Sequence, residues 1–438
     1  MNRYQDIKSR LNDSFDIIER KISHQNQQAY VFFLSSLSDN QLLEHLCEGL
    51  TLSIWQNKHF AIFPCAIEIC DDVTQAISAL FSGQCIVLIE NVIYLVETRS
   101  YPSRSNAEPI NEQSIRGAHD GFVENIILNV GLLRRRIRDP RLMIQIKKIG
   151  SLSRCDVVYA YLEGKVKPSI LQDFESRLAI NEHIDCINAH DFVALMYCKT
   201  LNPYPCVRYS ERPDICALHL MQGYLIVMLD NSPYAIIMPT TFIEQMSQME
   251  EYTQTLCTAN FTRCIRFLGV LFSLYLLPLW CALLIDRNPT MLKLPMFEIK
   301  LYTFAFQVLF ADIVIEWLRQ ALIHTPNILS GIMSLIAVFV LGEMAIEQGA
   351  YTQEVLIMIA LVNIGNALTP GYELSMANKI TRILLVIASL FAGQIGFLIG
   401  VLLHIYILLH AGLNIPYLYP LLPFSFHECL RILKGGKE

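Results

Sequence analysis

Asp312, Glu316, Arg319 and Gln320 recur every three or four residues inside an apolar run, YTFAFQVLFADIVIEWLRQALIHTPN (Tyr302–Asn327). That spacing places them on one face of a helix whose other faces are apolar. A charge at the centre of a bilayer costs at least ~2.5 kcal/mol, so such side chains must meet protein or water. Three arrangements meet that demand. The helix can lie in the membrane interface with its polar face among the headgroups. The acids can be neutralised by Arg319 within a helix bundle. Or the face can line a water path between assembled copies, where rings of carboxylates concentrate cations. Glu343 and Glu347, one turn apart, end the next apolar run, and Asn363 and Asn366 lie within the one after it. Asp312, Glu316, Arg319, Glu343, Glu347, Asn363 and Asn366 are therefore the candidate ion pathway, since so many polar groups at that depth favour a conduit over a plain anchor.

A second chemistry-bearing group is cationic. In SIRGAHDGFVENIILNVGLLRRRIRDPRL (Ser114–Leu142), Phe122, Ile126, Ile127, Val130, Leu133 and Ile137 recur at helical steps, which predicts a helix with one buried face. Arg134, Arg135, Arg136 and Arg138 load its last turn, where cations complement the carbonyl end of the helix dipole. Asp139-Pro140 stops it. The bland reading is a core helix with a solvated basic end. The sharper one is a surface for a partner carboxylate, lipid phosphates or a neighbouring copy, because three adjacent arginines exceed what a dipole needs. Glu124, Arg134, Arg135, Arg136 and Arg138 are the candidate subunit interface. In the proline-rich LNPYPCVRYSERPD (Leu201–Asp214), Arg208, Glu211, Arg212 and Asp214 alternate in sign. They are candidates for ion pairs between subdomains, with a solvated loop as the equal alternative.

Other chemistry is missing. There is no GxxxxGK[ST] phosphate loop, HExxH, CxxC pair, GxSxG elbow or paired DxD, and no histidine stands in a pattern with Ser or Cys and a carboxylate. His119 beside Asp120 reads as a capping or surface pair. We expect no enzyme, no catalytic residue, no cofactor and no metal site. The thirteen cysteines are irregularly spaced, unlike a zinc site or a secreted disulfide framework. Cys85, Cys216 and Cys281 sit in apolar runs, as small hydrophobes do. A net charge of −6 gives no polycation for nucleic acid.

The elements that must hold these residues divide the chain in two. Of 438 residues, 53% are hydrophobic and only 17% charged, with mean hydropathy +0.37, too apolar for an ordinary soluble protein. Nearly all long apolar runs follow Thr262. Cys264–Ile285 is long enough to span a bilayer, with Pro278 as a kink and with Arg263 and Arg266 marking a cytosolic end. Asn327–Ile346 and Val355–Leu368 are the next clear spans. The polar stretch Gly371–Arg382 reads as cytosolic from Lys379 and Arg382. Ile383–Gly412 is either one tilted helix or a tight hairpin broken near Gly393–Gly396, and the basic tail RILKGGK favours the hairpin. Gly396 and Gly400 form a GxxxG close-packing signal. Four to six spans fit.

Before them, Tyr30–Leu50 reads as strand, loop and helix, and Ala76–Ser100 as a helix ending at Gly83 followed by a hairpin turning at Glu90-Asn91. Asp156–Leu178 and Ala217–Pro239 repeat that order, matching Gly223 to Gly83, Asp230 to Glu90, Asn231 to Asn91 and Tyr234 to Tyr94. The expected fold class is an α/β cytosolic region of two related subdomains followed by an all-α multi-span membrane domain. Its divisions are a polar leader (1–29), subdomain 1 (30–110), the connecting arginine-rich helix (111–145), subdomain 2 (146–260), the transmembrane domain (261–426) and a basic tail (427–438). The first residues have no apolar core, so no signal peptide is expected and the N-terminal region should be cytosolic.

RSYPSRSNAEPINEQSIRGAHDGFVENIILNVGLLRRRIRDPRL, NPYP followed by VRYSERPD, ELSMANKITR and PYLYPLLPF together resemble the A subunits of GerA-type spore germinant receptors, over about Tyr30 to Phe426. Several blocks are nearer to a sporulation paralogue within that family. The resemblance implies an integral protein of the spore inner membrane that forms a ring, pentameric in family models, and conducts cations during germination. The implied partners are further copies, a small membrane protein, germinant receptor complexes and membrane lipid. Glu343 and Glu347 depart from the Gln or small residues usual in the family. The competing functions are a non-conducting scaffold that clusters receptors and a membrane-anchored ligand-binding module.

Overall fold

The computed structural model describes residues 3–24, 27–56, 65–100, 109, 112, 117–197, 202–248, 251, 254–287, 291–293, 298–323, 343, 346–413 and 415–427. Most of the expected Asn327–Ile346 span, the basic tail beyond His427 and most of 101–116 lie outside them. The chain forms two compact units, Met1–Thr200 with Val207–Thr240, and Leu201–Cys206 with Thr241–Glu438.

The first unit begins with α1 (Arg3–Arg10), β1 (Ile17–His24), β2 (Gln27–Leu34), α2 (Asn40–Gln56), β3 (Ile67–Cys70), α3 (Val73–Phe81), β4 (Cys85–Ile89) and β5 (Val92–Val96). The strands lie in the order β1-β2-β4-β5-β3 with all neighbours antiparallel. From Ala29 onward strand β2 is continuously apolar, because both of its faces are covered there. Phe32 and Leu34 pack with Ile7 of α1 and with Ala76, Leu80 and Phe81 of α3, while Val31 and Phe33 pack with Leu43, Leu46 and Leu50 of α2. Residues 3–24, expected within a polar leader, are part of the fold instead, since they supply α1 and the edge strand β1. An edge strand needs only one paired side, so its polar IIERKISH is tolerated there.

The rest of the unit is α4 (Ile126–Arg136), β6 (Leu142–Ile149), β7 (Cys155–Leu162), α5 (Pro168–Ile180), α6 (Ala189–Tyr197), β8 (Arg208–Ser210), α7 (Pro213–Met221), β9 (Leu225–Leu229) and β10 (Ala235–Met238). This second antiparallel sheet runs β6-β7-β9-β10-β8. Within each sheet the order is first, second, fourth, fifth, third, so one topology occurs twice. Two of the four matched pairs share a backbone as well: Gly83 and Gly223 have φ of +95° and +91°, and Asn91 and Asn231 have φ of 71° and 64°; Glu90, at φ 47°, and Tyr94, within β5, differ from Asp230 and Tyr234.

Three expectations are corrected here. The arginine helix spans Ile126–Arg136, so Phe122 precedes it and Arg138 follows it, because Asn125 caps its start by accepting from the amides of Ile127 and Leu128, and Ile137 is already extended before the expected stop at Asp139-Pro140. Nor do Arg134 and Arg136 form a basic end open to another copy. Arg134 is fully buried and makes a two-pronged pair with buried Asp16, at 2.8 and 2.9 Å, under the ring of Phe81. Asp16 also accepts from Ser36, and Phe15 donates to the Ile144 carbonyl, so the 14–16 segment and α4 join the two sheets. Arg136 pairs with Asp120 at 2.6 Å, whereas Glu124, Arg135 and Arg138 are exposed. The candidate ties between subdomains also resolve differently. Arg208 pairs with Glu112, Arg212 pairs with Asp214 and donates to the carbonyls of Glu112 and Ala118, and the Glu211 carbonyl accepts from Phe122. These contacts fasten Glu112, Ala118 and Phe122 to the second sheet.

The second unit contains α8 (Phe242–Met246), α9 (Leu256–Arg287), β11 (Met291–Lys293), β12 (Glu298–Lys300), α10 (Leu301–Ile323), α11 (Gln353–Ala367) and α12 (Tyr372–Leu409). Leu256–Asp286, Leu301–Ala321 and Tyr372–Leu409 are each long and apolar enough to cross a membrane. Leu277, Cys281, Phe304, Val308, Ile359, Val362 and Val386 form the core where α9, α10, α11 and α12 meet. Helix α12 breaks at Ala392 and Gly393, the latter at φ +57°. Beyond the break the chain folds back, and a methyl on Gly400 would come within 2.6 Å of the Leu385 side chain. The hairpin alternative is therefore the observed one, with Gly396 and Gly400 allowing the close approach.

Two measurements on the full-length chain in detergent test the first unit. Arg134→Ala leaves the buried Asp16 carboxyl without its ion-pair partner, so it should destabilise by ~3–5 kcal/mol, whereas Arg138→Ala at the exposed end should stay within ~0.5 kcal/mol, read from denaturant midpoints. His219 is buried in α7 and its Nδ1 meets the Ile215 carbonyl at 2.8 Å. Burial, with the Arg208 charge adding to it, lowers its pKa from 6.5 to about 4. The folded imidazole is neutral while the unfolded one takes up a proton, so stability should be full above pH 6.5 and fall as pH drops towards about 4. His219→Asn should flatten that part of the melting-temperature profile.

Candidate functional site: a buried ion-pair network

The acidic residues of α10 lie against α11 and α12. Asp312 is 2% exposed and takes a two-pronged contact from Arg382, with Nη2 to Oδ1 at 2.6 Å and Nε to Oδ2 at 3.2 Å. Arg382 is fully buried, and its remaining nitrogen donates to the carbonyls of Ser273 and Val362 at 3.2 and 3.4 Å. Asn363 bridges the group: its Nδ2 donates to Asp312 at 3.2 Å, and its Oδ1 accepts from Arg382 and Lys379. Lys379, 3% exposed, donates to Glu316 at 3.1 Å and stands 3.7 Å from Asp312. Glu316 also takes a fork from Arg319, at 2.7 and 2.9 Å, and a bond from Gln320. Arg319 lies over the Tyr372 ring at the more exposed end.

Helix geometry explains the assembly. Positions 312, 316 and 319 share one face of α10, and 379 and 382 share one face of α12. Low local dielectric makes each charge costly alone and strongly held when paired. Three cations face two carboxylates, so the group carries one formal positive charge.

The structure thus brings together four of the seven expected pathway residues, Asp312, Glu316, Arg319 and Asn363. Asn366 is buried nearby and donates to Ser375 at 2.9 Å. Glu343 and Glu347 are exposed and join no ion pair among the described residues. Lys379 and Arg382, which the sequence marks only as cations of a polar stretch, lie in α12 and neutralise α10. The signal that could have found them is their three-residue spacing, which complements that of Asp312 and Glu316. Arg263 and Arg266 are likewise paired, both with Glu251.

A second polar cluster gathers residues from distant motifs. The hydroxyl of Tyr204, in NPYP, meets His404 Nε2 at 2.7 Å, Thr381 at 3.1 Å and Asn378 at 3.3 Å. Tyr275 reaches the other ring nitrogen of His404 at 2.8 Å. Tyr417, from PYLYPLLPF, packs on Tyr204 and Phe242. NPYP, ELSMANKITR and PYLYPLLPF therefore meet in one place, although more than 200 residues separate the first from the last.

Tandem sheets of one topology, followed by apolar helices holding a charge network, define a membrane protein with a duplicated α/β region. The family description "Bacillus/Clostridium GerA spore germination protein" matches residues 5–434, and the chain belongs to that family. It is 35% identical to stage V sporulation protein AF of Bacillus subtilis, over 96% of this chain and 88% of that one. It is 25% identical to spore germination protein KA of the same organism, over 96% of this chain and 81% of that one. The crystal structure of the N-terminal domain of the A subunit of the Bacillus megaterium spore germinant receptor GerK3 is also similar. There the identity is 21% and the TM-score 0.41, covering 55% of this chain and 94% of that one. This is a membrane protein of the spore germination and sporulation family.

Asp312→Ala would leave Arg382 and Lys379 buried without their shared anion, so it should destabilise the protein by ~3–5 kcal/mol. Glu347→Ala, at an exposed site, should stay within ~0.5 kcal/mol. Thermal unfolding in detergent compares the two.

Proposed function

We propose that the protein is a subunit of a cation-conducting germination assembly, in which several copies surround a path through the spore inner membrane and the buried network holds that path shut. The carrying observation is the set of five charged side chains placed among apolar helices at the expense of ordinary packing. Replacing buried ion pairs by well-packed hydrophobes is often neutral or stabilising, so an anchor has no use for them. Opening would separate α10 from α12 and present Asp312 and Glu316 to water, where carboxylates favour cations. The relatives' names, sporulation and spore germination proteins, support a role in ion release during germination. In this reading the first unit lies on the cytosolic side, and a small membrane protein and receptor complexes are the partners. The exposed Glu124, Arg135 and Arg138 remain candidates for contact between copies.

One observation favours a second reading, a non-conducting scaffold that clusters receptor complexes: each network carboxylate is already neutralised within its own chain. Potassium release from proteoliposomes separates the two. A conducting subunit should release trapped potassium above protein-free vesicles, and Glu316→Gln should change the rate or the potassium-to-chloride preference. Vesicles that stay tight with the folded wild-type protein would leave the scaffold.

A further inference from the structure

The turn joining β6 to β7 is clamped onto the loop between α5 and α6. Gly150 donates to the Glu182 carbonyl at 2.8 Å. The Asp185 carboxylate accepts from the amides of Leu152 and Ser153, both at 2.8 Å, and from the hydroxyls of Ser153 and Ser151 at 3.0 and 3.2 Å. Those bonds, the Ser153 amide first, hold the Asp185 carboxyl below its ordinary value and fix it as an anion. A cysteine follows each side of the clamp: Cys155 opens β7, and Cys186 comes directly after Asp185. Thirty-one positions apart in sequence, their thiols meet in a side-chain hydrogen bond.

The two sulfurs are unequal. Cys155 is partly exposed, while Cys186 is 2% exposed. The bond from Cys186 holds the Cys155 thiol below its ordinary range, against the opposing effects of burial and of the Asp230 and Asp156 carboxylates, while the same bond pushes Cys186 up. A reachable sulfur beside a buried one is the division between an attacking and a resolving thiol.

We propose that Cys155 and Cys186 are a redox modification site, closing to a reversible intrachain disulfide that locks the β6–β7 turn to the α5–α6 loop. The oxidant is a low-molecular-weight disulfide, RSSR. The Cys155 thiolate attacks one of its sulfurs, the S–S bond breaks, and one RS⁻ leaves as Cys155–S–S–R forms. Cys186 gives its proton to solvent and attacks the Cys155 sulfur, displacing the second RS⁻. Two electrons pass from the protein pair to the oxidant, which ends as two thiols. The lock fixes a surface rimmed by Leu152, Ile180 and Ile187, which are 89%, 78% and 80% exposed.

The full-length protein in detergent is treated with oxidised glutathione, unfolded, alkylated and mapped by mass spectrometry. The expected result is loss of the two alkylatable thiols at Cys155 and Cys186, a peptide linking them, and recovery of both with dithiothreitol. In Cys186→Ser, glutathione should remain on Cys155; in Cys155→Ser, Cys186 should stay unmodified. Full alkylation of Cys155 and Cys186 in the oxidised wild-type protein, or pairing of either with another cysteine, overturns the proposal. The wild-type map decides even if a variant fails to fold.

Discussion

The contact between Asp312 and Arg382 sets the terms for the whole helical unit. Both side chains are buried among apolar residues, so neither can be solvated by anything except the other and the few polar groups within reach. Helix α12 must therefore keep register with α10, because a shift of one residue would turn Lys379 and Arg382 away from their acids. Helix α11 must present Asn363 between them, and α9 must offer the Ser273 carbonyl. Packing of Leu277, Phe304, Val308 and Ile359 supplies bulk cohesion. Geometry comes from the charges.

The same physics recurs in the other unit. Arg134 and Asp16 form a fully buried pair where the two sheets join, backed by Ser36 and the Phe81 ring. Buried pairs of this kind add little net stability compared with hydrophobes of the same volume, but they penalise misregistered arrangements heavily. A duplicated sheet has an inherent ambiguity, since either copy's strands suit similar neighbours. A specific polar joint between α4 and the segment before β1 removes that ambiguity.

Membership of the GerA family gains a structural meaning from the Tyr204 cluster. Motifs that are far apart along the chain touch through Tyr204, His404, Thr381 and Tyr417. The NPYP segment accordingly belongs with the helices, although it interrupts the sequence of the sheet unit.

What the sequence determined by itself was whatever local periodicity encodes. The repeat was legible because Gly83, Gly223, Asn91 and Asn231 occupy left-handed backbone positions that few residue types accept, so their spacing survives as a pattern. The long apolar runs at Cys264–Ile285 and Ile383–Gly412 were legible because the hydrocarbon thickness demands length, whereas Val355–Leu368 falls on the shorter α11 of 15 residues. The break near Gly393 could be inferred for the same reason. What only tertiary structure decided was who pairs with whom. Lys379 and Arg382 look like surface cations until α12 lies beside α10, and Arg134 looks like part of a basic patch until Asp16 arrives from 118 positions away. Cys155 and Cys186 carry no shared signal until the Asp185 clamp brings their loops together. A charge or a thiol takes its role from its neighbour, and neighbours distant in sequence are chosen by packing, which no local pattern records.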